Sequence, residues 1–228
     1  MNYTNDVKLS NALNVAIAQF KNYQKNLENR IMMVIYRNRT TNELDYILIE
    51  FTGTNYYHLT GLAYKEDTND SIDGHFGSRF YNALVNQKLS IRDLKIKDNN
   101  TELKIKALPS VTTCYKYTKM IGDFNNSGFQ LALDKVMGNT TTCLGLKKIK
   151  NKKYAPASSL YTDTRKMIKN SQQIIAIFLK DIFSTHPFSE IKYVAKGCNL
   201  KNMQFPNSIL ELISLENYHP PITKQKDQ

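Results

Sequence analysis

A long apolar stripe at helical spacing, running straight into two short β-rich segments, limits this chain more than any other feature of its sequence. Between Asp6 and Asn29 the residues Leu13, Ile17, Phe20 and Leu27, flanked by Ala16 and Tyr23, recur with a period near 3.6 and define an amphipathic helix. Ile31 to Arg37 and Leu44 to Thr52 are rich in Ile, Val, Tyr and Phe, and Asn38-Arg39-Thr40-Thr41-Asn42 between them has the chemistry of a hairpin loop. A helix followed by an antiparallel pair is the opening of an α+β fold.

Further along, Phe76, Phe80, Tyr81, Leu84 and Val85 return to helical spacing, and Ser90 is placed to cap a short helical piece at Ile91-Arg92-Asp93-Leu94. Glu102 to Leu108 alternates polar and apolar residues, which predicts a strand with Leu103, Ile105 and Ala107 inward and Lys104 and Lys106 outward, ended by Pro109. Val111 to Met120 reads as a short helix and Gly122 to Gly128 as a turn. Phe129 to Met137, Thr141 to Leu146 and Gln173 to Leu179 read as strands, with Lys152 to Ala155 as a hairpin return. Short helices are expected at Thr162 to Arg165, Glu190 to Ala195 and Ile209 to Leu215, a mobile loop at Lys65 to Asp73, and a frayed tail at His219 to Gln228. The expectation is one α+β domain over residues 1–200, its N-terminal helix or helices packed on a twisted, mainly antiparallel sheet, with a partly flexible extension at 201–228.

Charge narrows the partner. The 228 residues hold 31 Lys plus Arg against 20 Asp plus Glu, a net +11, which favours a polyanion and above all nucleic acid. Cys114, Cys143 and Cys198 form no CxxC pair, so neither a disulfide framework nor a zinc ribbon is drawn and a reducing cytoplasm fits. The longest apolar runs, Ile31 to Tyr36 and Ile174 to Leu179, have six residues, too few to span a bilayer. No P-loop, dinucleotide, zincin, α/β-hydrolase or EF-hand pattern occurs, and no cofactor is expected. His58, His75, His186 and His219 are scattered without ligand spacing, and no metal is expected.

Among these, His58 is the candidate acid or base: if extended, it shares a strand face with Thr60, and an unperturbed imidazole, with pKa near ~6.5, exchanges protons at neutral pH. A surface or half-buried strand histidine is the plainer alternative. Lys104 and Lys106, about 6–7 Å apart on one strand face, either line a phosphate path or sit on a solvated sheet face. The run from Lys147 and Lys148 to Lys153 is either a handle for nucleic acid or a turn that blunts a sheet edge. Arg165 either binds phosphate bidentately or pairs with Asp163. Tyr56 or Tyr57 can stack on a base or fill the core.

The ordered series Tyr57-His58-Leu59-Thr60-Gly61, Phe80-Tyr81-Asn82-Ala83-Leu84, Leu89-Ser90-Ile91-Arg92-Asp93-Leu94, Glu102 to Pro109, Lys119 to Asn125 and Cys143-Leu144-Gly145-Leu146 resembles phage-associated Barnase–EndoU–colicin–RelE-like nuclease domains over about residues 10 to 200. One departure is Gly145-Leu146, where sequences of that family carry Gly-Phe after the cysteine. The resemblance implies a metal-independent RNA endonuclease of the phage or mobile-element effector type. Carried over by position, His58 is general base or acid, Thr60 orients the phosphate, Lys106 or Lys104 with Arg165 binds the developing charge, and Ser159 contacts phosphate more weakly. The chemistry so implied is attack of the RNA 2′-hydroxyl on its own phosphate, giving a 2′,3′-cyclic phosphate. The implied partners are RNA, tRNA included, and an immunity or antitoxin protein. The competing expectation is a non-catalytic phage protein that binds nucleic acid or inhibits a host defence complex.

Overall fold

The computed structural model describes residues 3–66, 75–126 and 131–220. Helix α1 (Tyr3–Asn26) leads into strands β1 (Arg30–Arg37) and β2 (Leu44–Phe51), which pair antiparallel through all eight residues. Helix α2 (Asn55–Thr60), strand β3 (Leu62–Tyr64), helix α3 (His75–Val85), strand β4 (Leu94–Ile96) and helix α4 (Thr101–Val111) follow. Then come the one-turn helix α5 (Cys114–Tyr117) and strands β5 (Met120–Phe124), β6 (Lys135–Gly138), β7 (Cys143–Lys150), β8 (Lys153–Leu160), β9 (Ile168–Asp181) and β10 (Glu190–Val194), with the short helix α6 (Asn207–Leu210) beyond. The expected loop at Lys65 to Asp73 and the tail at His219 to Gln228 lie largely outside the described residues.

Seven strands close on themselves in the order β1-β2-β8-β7-β6-β5-β9, with β9 pairing back to β1, and β10 adds to the far edge of β9. Every junction in the ring is antiparallel except β2–β8, which is parallel and only two residues long, Leu48 to Lys153 and Ile49 to Tyr154. The fold is α+β, with an N-terminal helix and a mixed, mostly antiparallel sheet. The weak junction matters for function. Past Tyr154, β8 has no strand partner on its β2 side, and α2 and α4 cover that edge instead, which removes an exposed row of backbone donors and acceptors. The cover is bonded: Tyr161 N–H donates to Leu103 O at 3.0 Å, and Ser159 Oγ donates to Leu59 O at 2.8 Å.

Alternation along β1 divides the core. Met32, Val34 and Tyr36 join the cluster shared with α1, α2 and α4, whereas Ile31, Met33 and Ile35 face Phe188, Leu200, Phe205, Ile209 and Ile213 of the C-terminal segment. Two buried tyrosines tie the first layer together. Tyr56 Oη donates to Ala16 O and Tyr23 Oη donates to Thr52 O, each at 2.6 Å, so α2 is anchored to α1 from both its start and the preceding turn.

The structure corrects several local expectations. Glu102 to Leu108 is not a strand but most of α4, and Pro109 lies inside that helix rather than ending a strand. The buried positions Thr101, Lys104, Ile105, Leu108 and Val111 follow the i, i+3, i+4, i+7 spacing of a helix, so Lys104 and Lys106 do not share a sheet face. Tyr56 to Thr60 is helical, which removes the strand face that His58 and Thr60 were expected to share. Glu190 to Val194 is an edge strand, not a helix, and Gly122 to Phe124 belongs to β5 rather than to a turn.

Candidate active site

α2 is six residues long and ends at Gly61, whose φ of +69° is the left-handed conformation that stops a helix at low cost only when no Cβ is present. The turn leaves His58 exposed while Tyr56, Tyr57, Leu59 and Thr60 are buried. Tyr57 lies under it, with ring centroids 5.5 Å apart, and the Tyr57 hydroxyl accepts from Tyr64 N–H at 3.3 Å. Gly61 also governs its neighbours. Its carbonyl accepts from Thr101 Oγ1 at 2.8 Å and from Lys97 N–H at 3.1 Å, which joins α2 to the start of α4 and to the residue just past β4.

These contacts line a cleft of about 460 Å³ in which Tyr57, His58, Gly61, Lys97, Asp98, Lys104 and Ser158 meet, with Leu131 and Leu133 as an apolar wall. Gly145 makes room for that wall, because a Cβ there would come within 2.5 Å of Leu133 Cδ1. Lys104 is the unusual member. It is 5% exposed, and among the described residues its acidic partner is Asp98, with Nζ 3.9 Å from Oδ2, beyond hydrogen-bond reach. Burial pushes its pKa below the ordinary lysine value, an effect that Asp98 opposes and Lys97 reinforces. Ser158 is similar in kind: its Oγ is buried at the cleft and has no hydrogen-bond partner among the described residues.

Of the residues singled out from sequence, the structure brings His58, Tyr57 and Lys104 to this cleft. The others lie elsewhere or are engaged. Thr60 is fully buried, its Oγ1 donating to Tyr57 O at 2.9 Å and accepting from Leu62 N–H at 3.2 Å, which is a brace for the helix end. Ser159 is likewise fully buried and bonded to the α2 backbone. Lys106 points to solvent on α4 and pairs with Glu102 at 2.8 Å, one helical turn away. Arg165, in the 3-10 turn after β8, holds Asp163 through Nε and Nη2. Tyr57 is 3% exposed, too covered to offer a face to a base.

Of the five lysines in the basic run on the β7–β8 hairpin, three are paired with carboxylates and Lys148 and Lys150 form no ion pair among the described residues. Lys147 lies 3.6 Å from Asp134, and Lys152 and Lys153 each lie 2.6 Å from a carboxylate, Asp45 and Glu50, while Lys148 is exposed. Burial pushes the thiols of Cys114 and Cys143 up to about 12, so neither supplies a thiolate nucleophile. Among the described residues no group of three or more His, Cys, Asp or Glu side chains could hold a metal ion, and no helix is long and apolar enough to cross a membrane.

Lys97, Asp98 and Ser158 were not anticipated from sequence. The available signal was helical spacing through residues 101–111, which would have put a lysine on the apolar face of α4 and so marked Lys104 as buried beside whatever precedes the helix. For Ser158 the sequence carries no such signal.

The profile of the phage-Barnase-EndoU-ColicinE5/D-RelE like nuclease4 family matches residues 17–196, from within α1 to just past β10, and takes in the whole cleft. The chain belongs to this family of phage-associated nucleases. No curated protein and no solved structure matches it. In the cleft, His58, a side chain able to transfer a proton, and the cationic Lys104 line one cavity.

Proposed function

We propose that the protein is an RNA endonuclease that cuts by attack of a ribose 2′-hydroxyl on the adjacent phosphorus, with the reaction in the cleft between α2 and α4. The observation that carries this reading is the buried Lys104 ammonium in the same cavity as the exposed His58 imidazole. A buried cation whose acidic partner sits at 3.9 Å is short of negative charge, and a phosphate oxygen entering the cleft supplies it.

In this reading His58 takes the proton of the 2′-hydroxyl as that oxygen bonds to phosphorus. The bond from phosphorus to the 5′-oxygen then breaks, giving a 2′,3′-cyclic phosphate and a 5′-hydroxyl end. The proton removed from the 2′-oxygen is the one the 5′-oxygen needs, so protons balance across the step. Lys104, and Lys97 at the more solvated side, stabilise the charge that builds on the non-bridging oxygens. Ser158 Oγ is a further donor to one of those oxygens. The nucleophile is already held by the ribose, so the step needs no metal ion to generate it.

The test is incubation of the purified protein with total bacterial RNA, with and without EDTA, followed by chemical mapping of the ends. The reading expects cyclic phosphate ends in both arms and a fall of about 10²–10⁴-fold in His58→Gln. Intact RNA with wild-type protein, while salt-sensitive RNA binding persists, would favour a protein that blocks nucleic acid rather than cutting it.

A further inference from the structure

Beside the cleft lies a larger groove of about 910 Å³, and the two share Lys97 and Asp98. Five cations, Lys8, Lys65, Arg92, Lys95 and Lys97, line it against three carboxylates, Asp6, Asp98 and Glu102. One of those carboxylates, Glu102, is already engaged by a lysine outside the groove, Lys106 at 2.8 Å, and cations still outnumber carboxylates around the groove. Among the described residues Lys8, Lys65, Arg92 and Lys97 form no ion pair, and all four are exposed. The apolar part of the floor that presents surface is Ile91 and Ile96, backed by the buried Leu9 and Leu94.

We infer that this groove holds the single-stranded flank of an RNA whose scissile linkage sits in the neighbouring cleft, an assignment that rests on the nuclease reading above. A single strand presents phosphates along one side and flat apolar bases along the other, and a cation-rimmed groove with an apolar floor suits both. Lys95 and Lys97 are two residues apart at β4 and its end, so their Cα atoms are about 6–7 Å apart. That is comparable to the step between successive phosphates of an extended strand. Lys97, its backbone bonded to Gly61 O, stands where groove and cleft meet and faces the scissile phosphate from the groove side. A duplex offers no accessible base faces to the floor, so the groove selects unpaired RNA.

The test uses Lys8→Gln combined with Arg92→Gln, two exposed rim positions outside the cleft. Binding of a fluorescein-labelled, fully 2′-O-methylated ten-nucleotide strand, which cannot be cut, is followed by anisotropy at several salt concentrations. Alongside it, the cleavage rate of a dinucleotide is compared with that of longer RNAs extended on either side. Wild-type protein is expected to bind with a salt slope that falls by about 1.4 in the double variant, about 0.7 for each phosphate that the variant no longer neutralises. Extension on one side only is expected to speed cleavage by wild type, and the double variant is expected to lose that gain while cutting the dinucleotide as before. Equal affinity and slope for the two proteins, or no binding by either, would overturn the groove assignment. Groove-dependent binding without any cleavage would instead count against the nuclease reading and leave the groove standing as a single-strand site.

Discussion

Lys104 packs beside the cleft only because residue 61 has no side chain: a Cβ on Gly61 would lie 2.9 Å from Lys104 Cδ and 2.9 Å from Thr101 Cα. The same glycine ends α2 with φ of +69°, so one residue sets both the helix that carries His58 and the space through which the lysine stem passes.

Gly61→Ala therefore meets two penalties, the left-handed backbone and a clash with the α4 backbone that a flexible side chain cannot relieve. A loss of about 1–3 kcal/mol follows, which for a chain of this size lowers Tm by about 2–4 °C per kcal/mol. Cleavage falls further than stability explains, because Lys104 must shift. Thermal melting measured beside a cleavage assay below the variant's Tm checks both parts.

Lys104→Met separates function from stability. Methionine keeps the stem and drops a charge that burial disfavours, so Tm is expected to hold or to rise by an amount corresponding to about 1 kcal/mol, while cleavage is lost. The pH dependence follows from the direction of the shift. A lysine whose folded pKa lies below its unfolded value costs stability in full while both states are protonated, and costs nothing once pH exceeds the unfolded value near 10.5. Melting curves taken from neutral to alkaline pH should show the gap between Lys104→Met and wild type closing as pH rises.

Adjacent serines should respond in opposite ways. Ser159 Oγ bonds the α2 backbone, and Ser159→Ala should cost about 1 kcal/mol by removing a buried donor, with the folded fraction still active. Ser158 Oγ has no partner among the described residues, so Ser158→Ala should leave Tm unchanged and slow cleavage. Melting and single-turnover rates on both variants decide between these roles.

Lys106→Ala and Arg165→Ala should leave both Tm and cleavage rate at wild-type values, since each side chain pairs with a neighbouring carboxylate at the surface and neither lines the cleft. A large loss of activity in either would mean that the reacting phosphate sits elsewhere.

How far the sequence could be read depended on the length and purity of each pattern. The stripe of α1 and the β-branched content of β1 and β2 are long and consistent, so those elements and their antiparallel pairing were legible. In α4 a buried lysine interrupts the apolar face. With Lys104 assigned outward by its charge, the remaining residues alternate as a strand would, and both the helix and its contribution to the site were hidden. α2 is too short to show a period, and only its terminal glycine marks it. β10 is an edge strand of five residues, too short for its alternation to be told from helical spacing. Ser158 reaches the cleft where β8 runs past its short pairing with β2, and Lys97 through its backbone bond to Gly61 O, tertiary features that no local pattern encodes.

The account depends most on a ribose hydroxyl acting as nucleophile beside His58. Once a cut site is mapped on a short RNA, the direct measurement is cleavage of that strand with a single 2′-deoxy substitution at the nucleotide 5′ of the cut. The account predicts that this one change abolishes cleavage at the site while binding is retained. Cleavage of the substituted strand at an undiminished rate would contradict it.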